Sequence, residues 1–380
     1  MSAPLRDLDD VEALIAADRD GLLRSAAMSG AHVRAVAQAV SEGVLAPLAD
    51  LQPRAVVIVT GTSSTARRAA DLVVALLASH LDVPLVVAPA LPGWIGPLDV
   101  VVVAGDDPAD RNYTDAALRA LRRRAELVTA VPVEGPLADA VGGERIVNLA
   151  PRLPSDVRFT FIRLSAVFVA VCSAFDRVRL HPSPPDLADI ADLIDEEAAA
   201  DRPDHESFRN QAKSLAMRVD GRPVAWAGDT PATAVIAAHV AATLFAVAGV
   251  TSVGGDEASV LTRVRADAQA NGDSNADSIF YDPDFDPEPV VAPRVMLITT
   301  QGRSRWVEQR MLGLGDVDVV TERTGAAAAD AAADGRPPID HAYGDVPADL
   351  SAYAVTVTRA DLAAAYLGLS GPAAERATAG

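Results

Sequence analysis

The 380 residues include a single cysteine and a single lysine, and both scarcities exclude chemistry. Cys172 alone builds no disulfide framework. Its place in the apolar run 161–175 makes it a buried, inert thiol rather than a nucleophile. Positive charge is short: 33 Lys and Arg stand against 52 Asp and Glu, a net charge of −19. Such a chain repels a phosphate backbone, and no basic helix or aromatic-studded basic strand offsets that, so nucleic acid is not an expected partner. No stretch approaches the ~20 uninterrupted apolar residues that span a bilayer, and residues 1–10 are acidic rather than basic-then-apolar. The expectation is a cytoplasmic protein without a membrane partner. Six scattered histidines (His32, His80, His181, His205, His239 and His341), with no HxxxH, HxH or cysteine pairing, imply no metal site and no metal cofactor. The near-exclusive use of arginine, with abundant Ala, Asp and Val, reads as a GC-rich coding bias.

Half of the chain is apolar, which leaves no difficulty in burying a core. Residues 1–50 read as a helical layer: Asp9-Asp10 offer an N-cap before Val11, Leu14 and Ile15, and an amphipathic stretch covers 31–42. From residue 51 short apolar strands alternate with helices: strands over 55–60, 84–88, 99–104 and 126–131, helices over 65–81 and 112–125. That rhythm means βαβ units and parallel sheets, an α/β fold. A Pro- and Asp-rich stretch with an acidic helix, 180–208, interrupts it, and the rhythm then restarts. Helices are expected over 208–218, 233–248 and 304–314, and strands over 222–227, 294–299 and 318–320. The division expected is therefore 1–50, 51–179, a linker at 180–208, and 209–380, with long excursions over 269–289 and 323–346.

Four consecutive valines, Val100 to Val103, read as a strand buried on both faces. Ligands of open α/β sheets bind beyond the carboxyl ends of such strands. Here the following turn, 104–110, carries three aspartates that argue against phosphate; Asp106-Asp107 is the one acidic pair at a position the fold logic marks. Gly61-Thr62-Ser63-Ser64-Thr65 follows another strand and opens a helix, setting hydroxyls and free N–H groups at a positive helix end. That is an anion site or an unliganded Ser/Thr N-cap; it is neither a dinucleotide fingerprint nor a P-loop. Arg158, at a helix start where the dipole disfavours it, contacts a ligand or pairs with Asp156 or the 106–110 turn. His239, inside an apolar helix, reads as a core histidine.

The order of these signals resembles the sugar isomerase (SIS) family, and within it the bifunctional phosphoglucose/phosphomannose isomerases, in a diverged, TobH-like branch. The pieces that carry the resemblance span most of the chain. They are the strand-turn-helix 57–72, Leu91-Pro92-Gly93-Trp94-Ile95-Gly96-Pro97 leading into Val100 to Val103, and Arg158 before a long apolar helix. Asn210-Gln211-Ala212-Lys213-Ser214-Leu215-Ala216 and the closing helix around 361–367 complete them. The resemblance implies two SIS-type three-layer αβα domains with mainly parallel sheets. It also implies a homodimer, and a hexose phosphate held between the domains for aldose–ketose isomerisation through an enediol. Such chemistry needs a base and a ring-opening acid/base group.

Carried over, the first phosphate turn matches Thr62, Ser63, Ser64 and Thr65, and Arg158 matches directly, whereas the second turn departs: Ala104, Asp106 and Ala109 stand where hydroxyls belong. Two anions ~4 Å apart repel by roughly 1–4 kcal/mol, depending on the solvent that remains. Phe245 stands in the place of the family's glutamate base, no histidine occurs between His239 and His341, and Lys213 belongs to another motif. The expectation is a sugar-phosphate isomerase-family protein with a degenerate catalytic site. It would bind a sugar or sugar-phosphate derivative through Gly61, Thr62, Ser63, Ser64, Thr65, Asp106 and Arg158, without a cofactor. The alternatives are an active glucose-6-phosphate/mannose-6-phosphate isomerase with a base relocated to Glu257 or His239, and a non-catalytic regulatory or scaffold partner of a sugar-metabolic enzyme.

Overall fold

The computed structural model describes residues 7–272, 293–312, 314, 316–323 and 344–370; most of the two expected excursions lies outside them. Before the first strand come α1 (Val11–Ala17), α2 (Leu22–Ala27), α3 (Ser29–Ser41) and the single turn α4 (Ala46–Ala49). Asp10 caps α1, its Oδ1 accepting from Ala13 N at 3.0 Å, while Asp9 reaches across the sequence to Ser207 and Lys213.

The first parallel sheet follows: β1 (Ala55–Val59), β2 (Leu85–Ala88), β3 (Asp99–Val103), β4 (Glu126–Thr129) and β5 (Val147–Asn148), in the order β2-β1-β3-β4-β5. Its crossovers are α5 (Ser64–Leu77), α6 (Arg111–Arg122) and α7 (Gly135–Val141). The valine run is the middle of this sheet, Val101 lying between Val57 and Leu127. Both of its faces are buried. Val100 and Val102 join the core with α5 and with α8 (Phe161–Ser173), and Val101 and Val103 pack on Tyr113, Ala116 and Ala117 of α6. Cys172 is buried in α8, and burial pushes its thiol up to about 12.

Residues 180–208 contain α9 (Leu187–Ala200), which lies along α3 and the closing helix. The approach to α3 is close: a Cβ on Gly30 would stand 2.0 Å from Asp195 Oδ1. Next come α10 (Gln211–Val219), β6 (Val224–Gly228), α11 (Pro231–Ala248), β7 (Ser252–Asp256), α12 (Glu257–Gly272), β8 (Arg294–Ile298), α13 (Ser304–Met311), β9 (Val317–Val320) and α14 (Leu350–Ser370). The second sheet, β7-β6-β8-β9, is parallel throughout. Strand β7, Ser252-Val253-Gly254-Gly255-Asp256, is not among the strands expected after residue 208. Gly254 is required by α11, because a Cβ there would come within 2.2 Å of the Ala237 carbonyl oxygen.

One continuous core serves both sheets: Val56 and Val102 of the first belong to the same cluster as Trp226 and Met296 of the second, through α5, α8, α11 and α14. Helix α11 is the one described helix long and apolar enough to cross a membrane by length and composition; here it packs on β6, β7, α5 and α14. Within this core His239 stacks on Phe161 at 3.9 Å, with Nε2 3.9 Å from Asp361 Oδ1. Among the described residues, neither oxygen of Asp361 nor Nδ1 of His239 has a hydrogen-bond partner. Burial therefore drives Asp361 well above the ordinary carboxylate range and His239 well below the ordinary imidazole range, so both are neutral.

A carboxyl raised by folding contributes its stability below the unfolded-state pKa and loses it as pH rises toward the folded value. Replacing Asp361 by leucine, which keeps the branched side-chain skeleton without polar atoms, is expected to stabilise the protein at pH 8 by roughly 1–4 kcal/mol. The gain should shrink as pH is lowered toward 4. Thermal denaturation of both proteins at the two pH values checks this, and a less stable variant at pH 8 contradicts it.

Candidate functional site

The order β2-β1-β3-β4-β5 reverses direction between β1 and β3, and ligands of doubly wound sheets sit at that switch point. Two turns face each other there, 60–63 after β1 and 104–110 after β3. Gly61 is left-handed, with φ +54°, and Ser63 caps α5, its Oγ accepting from Ala66 N at 3.1 Å. The turn that leads into the helix is not vacant. Asp110 Oδ2 accepts from both Thr62 N and Thr62 Oγ1 at 2.8 Å, while its Oδ1 caps α6 through Asn112 N, also at 2.8 Å. Ser63 Oγ donates to Asp106 Oδ2 at 3.2 Å.

Tyr113 Oη donates to the Thr60 carbonyl at 2.8 Å, and it passes so close to Gly105 that a Cβ there would stand 1.9 Å from Oη. The two turns are thus joined by the chain's own side chains. Burial acts to raise the Asp110 carboxyl, but the four hydrogen bonds from Thr62 and Asn112 outweigh it and hold the group below its usual range. Asp106 is the opposite case: burial raises it, against Thr160, Arg163 and Ser63. Arg163, 3% exposed, donates from Nη2 to the Ala130 carbonyl at 3.0 Å, and burial pushes its guanidinium down to about 10.

Gly61, Thr62, Ser63 and Asp106 are therefore gathered at one crevice, with Ser64 exposed and Thr65 half-buried in the first turn of α5. Arg158 turns elsewhere. Its Nε and Nη2 grip Asp156 at 2.9 and 2.6 Å, the ion pair that stood as one of the two readings of this arginine.

The second sheet repeats the arrangement. Between β6 and β8, Asp229 accepts from Arg303 Nε and Thr299 Oγ1, both at 2.9 Å. Arg303 extends to Asp349 at 3.2 Å and Tyr353 at 2.9 Å. Burial opposes its charge, but Tyr353 and Asp229 together raise its pKa above the ordinary value. At the N-terminus of α11, Asp345 Oδ2 accepts from Ala232 N at 2.9 Å and Oδ1 from Thr230 Oγ1 at 2.6 Å. A carboxylate from a distant segment therefore seats where the first helix of each sheet begins: Asp110 on Thr62, just before the Ser63 cap of α5, and Asp345 on the first turn of α11.

The acid/base positions hold one exposed apolar ring and three buried or paired groups. Phe245 projects from α11, 63% exposed. Lys213 is fully buried and donates to the Pro203 and His205 carbonyls at 2.8 and 2.7 Å. Glu257 pairs with Arg310 at 2.5 Å, and His239 lies in the shared core.

Sequence reasoning passed over Asp110, Tyr113, Arg303 and Asp345. Asp110 was legible, because Asp immediately before Arg111-Asn112 is an N-cap signal. Asp345 acts on Thr230 from 115 residues away, a separation that no local pattern reports.

No protein-family model matches the chain, and no curated protein matches it in sequence. Solved structures do match its fold. Tagatose-6-phosphate ketose/aldose isomerase from Escherichia coli superposes with a TM-score of 0.55 at 13% identity, covering 97% of this chain and 96% of that one. Glucosamine-6-phosphate deaminase from Thermotoga maritima gives 0.51 at 11% identity, over 91% and 92% of the two chains. The C-terminal domain of glucosamine-fructose-6-phosphate aminotransferase from Francisella tularensis gives 0.51 at 13% identity, over 92% and 97%. Two parallel sheets flanked by helices, wound in this order, give the chain the SIS-type phosphosugar isomerase fold.

Proposed function

We propose that this chain is a carbohydrate-derivative-binding relative of the glucose-6-phosphate/mannose-6-phosphate isomerases, in a diverged, TobH-like branch, that no longer isomerises sugar phosphates. One observation carries the reading: at both switch points the chain's own carboxylate already stands where a ligand phosphate would bind, Asp110 on the Thr62 turn that leads into α5 and Asp345 on the N-terminus of α11. A phosphate entering beside Asp110 meets a fixed negative charge, a repulsion of roughly 1–4 kcal/mol at ~4 Å, and finds the Thr62 N–H already bonded. The fold neighbours act, by their names, on sugar 6-phosphates. Moving a proton between sugar carbons needs a base with a free lone pair near the substrate. Here Lys213, His239 and Glu257 are each buried or paired.

In a coupled assay with purified protein, mannose 6-phosphate and glucose 6-phosphate are expected to give no fructose 6-phosphate above background; sustained turnover that survives repurification rejects the reading. The sealing itself has a separate test. Asp110→Ala should destabilise the protein by about 1–2 kcal/mol through loss of the α6 cap. It should also free Thr62 N–H, so that inorganic phosphate raises the melting temperature of the variant more than that of the wild type. An equal phosphate response in the two proteins shows that Asp110 seals nothing.

A further inference from the structure

Beside the closed β6/β8 crevice, the carboxyl ends of β8 and β9 open onto a cleft of about 650 Å³. Sites for small molecules fall in the range of about 300–1,000 Å³, and strand carboxyl ends are where open α/β sheets hold them. One wall is α9 and the other is the start of α14, so the cleft lies against the helix of the 180–208 stretch. Its apolar surface comes from Leu193, Val346, Ala352 and Val355, a face suited to the C–H side of a sugar ring. Polar groups rise around it: Gln301, Thr300 and Ser351, with Glu196 and Glu322.

The charges there are not balanced for a phosphate. Four carboxylates line the cleft, Glu196, Glu197, Glu322 and Asp349, against two guanidinium groups, Arg303 and Arg323. Arg303 is committed to Asp229, Asp349 and Tyr353. Behind the wall, Arg359 donates to Glu197 at 2.5 Å and to the Thr321 and Glu322 carbonyls, both at 2.7 Å. Glu322 takes the Gln301 backbone N–H at 3.0 Å, whereas Glu196 is exposed at the rim and makes no such bond. An excess of acceptors over an apolar face suits a ring that carries hydroxyls and an ammonium, and it repels a dianion.

We infer that the cleft at the ends of β8 and β9 binds an unphosphorylated amino sugar, its ring on Leu193 and Val355 and its ammonium toward Glu196. This inference rests on the carbohydrate-binding reading above and adds the site and the class of ligand.

The test is isothermal titration of the full chain with glucosamine, glucose and glucosamine 6-phosphate, repeated on Glu196→Gln and Gln301→Ala, with thermal melts to confirm that both variants fold. Glucosamine should bind more tightly than glucose, and glucosamine 6-phosphate most weakly. Glu196→Gln should weaken glucosamine about tenfold while leaving glucose within about twofold. Gln301→Ala should weaken both sugars. Preference for the 6-phosphate, or glucosamine binding indifferent to both substitutions, overturns this site. If a wider sugar panel still shifts the melting temperature, indifferently to Glu196→Gln, the site falls and the carbohydrate reading stands. If no carbohydrate shifts it, both fall.

Discussion

A carboxylate seated where a helix begins organises this molecule twice over. Before α5 it is Asp110, on the Thr62 turn, and on the first turn of α11 it is Asp345. In each case a negative charge from within the chain stands near the positive end of the helix that leaves the first strand of its sheet. The bond does more than cap. Asp110 ties the turn after β1 to the start of α6, and Tyr113 on that helix reaches back to the Thr60 carbonyl. Asp345 ties α11 to the segment leading into α14 and shares Tyr353 with Arg303. The crevices that would ordinarily bring the two turns of a doubly wound sheet to a ligand are closed by the same forces that would have held it.

Much of this fold was legible because the burial of β1 and β3 is written in their composition. Runs of valine and isoleucine covered on both faces admit few readings other than a parallel sheet. The acidic turn after Val103 was legible as unusual for phosphate, whereas the ion pair of Arg158 with Asp156 was only one of the readings that arginine allowed. What escaped the sequence depends on contacts between segments far apart. Strand β7 hides behind two glycines whose purpose appears only when α11 is laid over them. That Asp110 joins Asp106 in engaging the hydroxyl turn depends on how α6 is set by Tyr113, and Gly105 carries no local sign of that ring. Asp345 lies outside every motif.

The shared core sets the state of the titratable groups it encloses. Because α5, α8, α11 and α14 are packed between the sheets, any titratable residue on their inner faces is cut off from water on both sides. Asp361 and His239 are held neutral by that isolation rather than by a partner. Arg163 keeps its charge at the edge of the same core, with one hydrogen bond to Ala130 and the field of Asp106 to offset its burial. Residues of this kind cost stability.

The fate of the only lysine has a practical bearing. Lys213 is fully buried, its ammonium held by the Pro203 and His205 carbonyls and by Asp9. All other cationic side chains are arginine or histidine, so the folded surface offers no side-chain amine. Reagents and enzymes that acylate, cross-link or conjugate lysine have no target there until the segment around 203–205 lifts away. The rate at which Lys213 is labelled thus becomes a clock for that local opening, read at a single atom without interference from any other side chain.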